Sequence, residues 1–140
     1  MADGGSTVVA ANPEADVCEV LARIIEAAGH RAERVTAIES VTRSVVATGA
    51  DVLLLDCGAA NLDLLKELRA HDEPLASAVR VIVVGNGPAS ARLAWQADAD
   101  AVLERPIPAA AIGEAIRATV DRPDADRPAE RSRQLTALGA

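Results

Sequence analysis

The chain has 140 residues, a formal net charge of -7, half of its residues hydrophobic and one aromatic, Trp95. That length supports one domain, with a core built from Val, Leu, Ile and Ala. The acidic balance repels phosphate backbones and argues against nucleic acid as a partner, while two cysteines without a CxxC or Cys/His cluster give neither a disulfide framework nor a zinc pattern.

The opening MADGGST lacks the basic and apolar segments of a secretion signal, and no apolar run approaches membrane-spanning length, so a cytoplasmic protein is expected. Residues 1–6 read as a disordered N-terminus. Thr7 to Ala11 (TVVAA) reads as a strand. Val17, Val20, Leu21, Ile24 and Ala28 then recur at helical spacing, and Gly29 sits where a helix C-cap belongs. A weaker strand follows at Arg31 to Val35, then a helix from about Ile38 to Thr48, stopped near Gly49. Val52 to Leu55 is a continuous apolar run, the mark of a strand buried on both faces. A helix over Asn61 to Ala70 turns Leu62, Leu65 and Leu68 inward. Val79 to Val84 is the next strand, broken by Gly85-Asn86-Gly87-Pro88. A fourth helix covers about Ala89 to Ala97, a short strand Ala101 to Leu103, and Pro108 opens a last helix with Ile112, Ile116 and Val120 on one face.

Five strands alternating with helices over short connections predict an α/β domain with a parallel sheet, helices on both faces. Functional groups of such sheets gather at the carboxyl ends of the strands, here Asn12, Asp56, Gly85 and Arg105. From Asp121 the pattern stops. The segment to residue 140 is charged, rich in Pro and Arg, and reads as a disordered tail. His30 and His71 are isolated and read as surface residues. Asp98 and Asp100 read as turn residues. Cys57 reads as partly exposed and has no neighbouring His to activate it. The GNGP turn matches neither a P-loop nor a dinucleotide fingerprint.

DVLLLDCGAANLDLLKELR, VCEVLARIIEAAGH and ADADAVLERPIPAAAIGEAIRATV, in that order and spacing, resemble the receiver domain of bacterial two-component response regulators, over Thr7 to Val120. The resemblance implies a CheY-like, flavodoxin-like (βα)5 sheet in the order 2-1-3-4-5. It places Asp56 at the phospho-acceptor position and Asp63 at a second acid of the following loop. It also implies a histidine kinase as phosphoryl donor and a magnesium ion held by an acidic pair after the first strand. A lysine after the fifth strand, a Thr or Ser after the fourth and a switch aromatic complete the family's set. A cis bond before the proline of ERP is implied too.

This chain departs from that set. The acidic pair falls on Asn12 and Pro13, the hydroxyl on Gly85, the switch aromatic on Val102 and the lysine on Arg105. Arginine keeps the charge but not the geometry of an ammonium. Glu14 and Asp56 are the residual candidates for a metal, and no cofactor is expected unless Asp56 is phosphorylated. Asn12-Pro13-Glu14 also reads as a helix start, with Asn as cap and Pro at the first turn. Asp56 has two readings, an acceptor or a structural carboxylate paired with Arg105. Trp95 also has two: an exposed anchor for a partner or a homodimer on the face of the fourth helix, fifth strand and fifth helix, or a ring lying flat on a neighbouring helix. The expectation is a stand-alone, non-enzymatic, atypical receiver-like protein that signals by protein contact. A working phospho-receiver is the alternative, and a nucleotide-binding flavodoxin-like protein using GNGP is the third.

Overall fold

The computed structural model describes residues 5–139. The elements are β1 (Thr7–Ala11), α1 (Ala15–Ala27), β2 (Arg31–Val35), α2 (Val41–Thr48), β3 (Val52–Leu55), α3 (Asn61–Arg69), α4 (Pro74–Ser77), β4 (Arg80–Gly85), α5 (Pro88–Gln96), β5 (Ala101–Glu104), α6 (Ala109–Asp121) and α7 (Arg127–Ala137). The strands pair in parallel in the order β2-β1-β3-β4-β5, the flavodoxin-like arrangement.

Side-chain alternation along each strand divides the core in two. Val9, Ala11, Leu53, Leu55, Val81 and Val83 face one side, with Leu65 and Leu68 of α3 and Trp95 of α5. Val8, Ala10, Val52, Leu54, Ile82 and Val84 face the other, with Ile25 of α1 and Ile112 and Ile116 of α6. The uninterrupted VLLL of β3 is buried throughout because it is covered from both sides. α3 turns Leu64, Leu65 and Leu68 inward, whereas Leu62 is half-buried. Gly29 and Gly49 follow α1 and α2 with φ of 97° and 60°, the left-handed conformation that ends a helix without a Cβ clash. The short helix α4 falls where the sequence pattern showed none.

One expectation is corrected here, and one choice between readings is made. The first concerns the segment after Asp121, which is ordered: α7 spans eleven residues and lies over α5 and β5. What holds it is charge. Asp100 is 3% exposed, and its Oδ1 accepts from Arg127 Nε at 2.7 Å and Arg131 Nη2 at 3.0 Å. Its Oδ2 accepts from Arg127 Nη2 and Arg69 Nη2, both at 3.0 Å, and from the Val81 amide at 2.9 Å. Composition suggested a solvated tail because the acid that the arginines need lies 27 residues away in sequence. The signal was present in the spacing: Asp126-Arg127-Pro128 is a helix start with Pro in the first turn, and Arg127, Arg131, Leu135 and Leu138 share one helical face.

The second is Trp95, for which two readings stood: its 6% exposure excludes a ring turned to solvent and fits one lying against neighbouring elements. Leu135 and Leu138 pack against the same cluster. The face expected to be free for a homodimer is therefore occupied by the chain's own last helix.

Burial alone would raise the Asp100 carboxyl. The bonds from Arg127 and the Val81 amide, with the Arg127 and Arg69 charges, outweigh it and hold the group below the ordinary carboxylate range. A depressed carboxylate contributes stability that is complete above its unfolded pKa and lost as pH falls through the folded one. Docking of α7, read by Trp95 emission, should thus persist from neutrality down to about pH 4, where free aspartates protonate, and fail only below it.

Candidate functional site

The sheet register builds the site. Ala11 lies beside Leu55 and Leu55 beside Val83, so Asn12 and Asp56 emerge next to each other at the carboxyl edge. The Asp56 amide donates to Ala11 O at 2.9 Å, and the Asn12 amide to Val35 O at 3.1 Å. Asp56 is 4% exposed and Asn12 5%. A carboxylate buried to that degree needs compensating donors, and it has them. Asn12 Oδ1 accepts the Glu14 amide at 2.7 Å, which turns Asn12 Nδ2 toward Asp56 Oδ2 at 2.9 Å. Arg105, just past β5, donates through one guanidinium nitrogen to both carboxylate oxygens. The Arg105–Pro106 bond is cis.

Four of the residues singled out from sequence thus converge: Asn12, Asp56, Gly85 and Arg105 lie at one edge. Pro13 and Glu14 are exposed. Glu14, not Asn12, occupies the N-cap of α1, and its side chain makes no capping bond. Asn12 still satisfies a backbone donor there, but from a turn two residues before it. Asp63 is exposed in the first turn of α3.

A magnesium ion requires hard anionic oxygens in near-octahedral geometry. Here Pro13 offers none, the Asn12 amide nitrogen faces Asp56, and the Asp56 oxygens already accept from a cation. Among the described residues, no group of three or more His, Cys, Asp or Glu is placed to hold a metal. The residues present do not fit the ion.

Gly85 is buried, and a Cβ built on it would lie 2.5 Å from Ser90 Oγ. Any larger residue there must displace Ser90, so a hydroxyl does reach this place, from the first turn of α5 rather than the end of β4. Val102 is half-buried against the core on the α3 and α5 side. Asn61, unremarked in the sequence, joins the ends of two strands: its Oδ1 accepts the Cys57 amide at 2.7 Å and its Nδ2 donates to Val84 O at 2.8 Å. An Asn at the start of a helix five residues after a strand-end aspartate was the available signal.

Cys57 is buried rather than partly exposed. Burial first, and then the Asp56 charge, pushes its thiol up to about 11. His30 and His71 each accept a backbone amide at 3.0 Å through Nδ1, from Ser6 and Glu73. A cleft of about 430 Å³ opens between α3 and α5, lined by Leu62, Leu65, Ala89 and Leu93 with Asn61 and Asn86. No cation lines it, which does not suit a nucleotide phosphate.

No family model matches the chain, and no curated protein matches it. Solved structures do. A candidate response regulator from Chloroflexus aurantiacus aligns with TM-score 0.74 at 20% identity, over 85% of this chain and 100% of its own. A response regulator receiver domain protein from Clostridium thermocellum aligns at 0.72 and 18%, over 84% and 95%. The chemotaxis response regulator CheY4 of Vibrio cholerae aligns at 0.72 and 12%, over 83% and 99%. The chain has the fold of CheY-like receiver domains.

Two measurements check the site. Removing one member of a fully buried ion pair costs about 3–5 kcal/mol, and the Arg105 side chain is 47% exposed. Arg105→Ala should accordingly cost about 1–2 kcal/mol in urea unfolding, and far less in an Asp56→Ala background, where no carboxylate is left unpaired. Cys57 should resist a thiol reagent at pH 8 in the folded chain and react promptly in denaturant.

Proposed function

We propose that the chain is a receiver-like signalling module of two-component pathways in which Asp56 is a structural carboxylate and output passes through protein contact without phosphorylation. The observation that carries this reading is the pairing of Asp56 with Arg105 and Asn12. Both oxygens accept from Arg105, and Oδ2 also accepts from Asn12. Phosphoryl transfer works by positioning and by neutralising charge, normally around a metal. Here the neutralising charge is already spent on the carboxylate itself, and the neighbouring positions supply an amide and a proline. The partner is a signalling protein of the cytoplasm, and no catalytic role is assigned to any residue.

A second reading keeps Asp56 as the acceptor of a phosphoryl group from a histidine kinase. Two observations favour it. Arg105 supplies a positive charge beside the carboxylate, and Ser90 brings a hydroxyl to the place that Gly85 leaves empty.

Intact-mass measurement after incubation with acetyl phosphate and magnesium separates the two. The expected outcome is no adduct on wild type, and retained signalling by Asp56→Ala in cells. An adduct on wild type that is absent from Asp56→Ala, together with altered partner binding, would establish the second reading.

A further inference from the structure

α7 holds its place in an unusual way for a core-packed helix. None of its residues is buried. Its attachment is a row of polar clasps. Arg127 and Arg131, one turn apart, share Asp100. Arg127 Nη1 also donates to Ala78 O at 3.0 Å, and Arg131 Nε to Ala99 O at 3.0 Å. At the other end, Arg92 of α5 donates to Leu138 O at 2.6 Å. Leu135 and Leu138 add apolar contact.

The fit beneath is incomplete. A cleft of about 280 Å³ remains between α7 and the face of α5, β5 and α6, lined among others by Trp95, Val102, Ala115, Glu130 and Gln134. Thr119 also lines it, and its buried hydroxyl has no hydrogen-bond partner. The connector, by contrast, is pinned. Arg80 donates to Thr119 O, to Arg122 O at 2.6 Å and to Asp124 Oδ1 at 2.7 Å. These bonds fix the connector to the domain without α7, which meets it through Arg127 with Asp124 at 3.4 Å and Glu130 with Arg122 at 3.9 Å.

The vacated face would present a buried acid, Asp100, at one end and Trp95 with Val102 at the other. Its chemistry is legible from what now fills it. We infer that α7 is a cover held in cis on a docking face for a partner protein's helix, one bearing two arginines a turn apart and apolar residues on the next two turns, and that this partner binds only when α7 leaves. The inference rests on reading the chain as an interaction module, and not on whether Asp56 takes a phosphoryl group.

The probe is a fluorescein-labelled peptide of residues 127–139, offered in trans to full-length chains. Its weak helicity in isolation lowers affinity equally for every protein tested. Wild type, whose face is occupied, should bind at least about tenfold more weakly than the double variant Arg127→Glu/Arg131→Glu, since only the uncovered fraction is competent. In that variant Trp95 emission should shift red and return toward the wild-type value as peptide saturates. Adding Asp100→Asn should abolish peptide binding. Leu135→Ser/Leu138→Ser loosens α7 without touching the arginine clasps and should expose the same face.

Equal binding to wild type and both folded variants would overturn the inference. So would no binding to either variant, or binding that survives Asp100→Asn. A wild-type dimer by sedimentation, with α7 exchanged between copies, would overturn the cis assignment. The acetyl phosphate experiment reads Asp56 alone, so its outcome and this one fail separately.

Discussion

A parallel sheet covered on both faces leaves no place for a polar side chain except at its rims, and here each rim holds one buried aspartate. Asp56 closes β3 at the carboxyl edge, and Asp100 precedes β5 at the opposite edge. An ionised carboxylate in such a position is tolerated only with donors aimed at it. Arginine answers both: Arg105 at one rim, and Arg69, Arg127 and Arg131 at the other. β5 runs between the two clusters, with Asp100 just before it and Arg105 just after.

The two aspartates have different consequences. At Asp56 the guanidinium lies on both carboxylate oxygens and compensates a buried charge. At Asp100 the same kind of pairing builds structure, fastening a helix to the domain whose own apolar surface would hold it only weakly. Arginine suits both places, because a planar fork reaches a carboxylate and neighbouring carbonyl oxygens together. Asp100 shows this most fully, since Arg127 and Arg131 each bond the carboxylate and a backbone oxygen.

How much of the site could be read in advance depended on the distance over which each signal acts. Asp56 announced itself because four aliphatic residues run into it. Asn12, Gly85 and Arg105 followed from strand ends that periodicity had already located. Ser90 escaped, since its hydroxyl matters only through the space Gly85 leaves. Asn61 escaped as well, because a helix-start Asn has many uses and only the approach of β4 makes it a bridge. Trp95 was left with two readings, because one ring on a helix can serve a partner or a neighbouring element, and only the packing around it decides.

By itself the sequence determined the strands, their order of appearance, the two-sided core and the convergence of Asn12, Asp56, Gly85 and Arg105, because hydrophobic periodicity and turn chemistry are local and leave a local trace. Only the tertiary structure decided that Asp56 pairs with both Arg105 and Asn12, that Asp100 is a buried anchor and that the last eleven-residue helix lies on the face around Trp95. Those outcomes depend on charges that meet across 27 to 49 residues of chain. An arginine beside a proline reads as a solvated tail until the fold brings it to its acid.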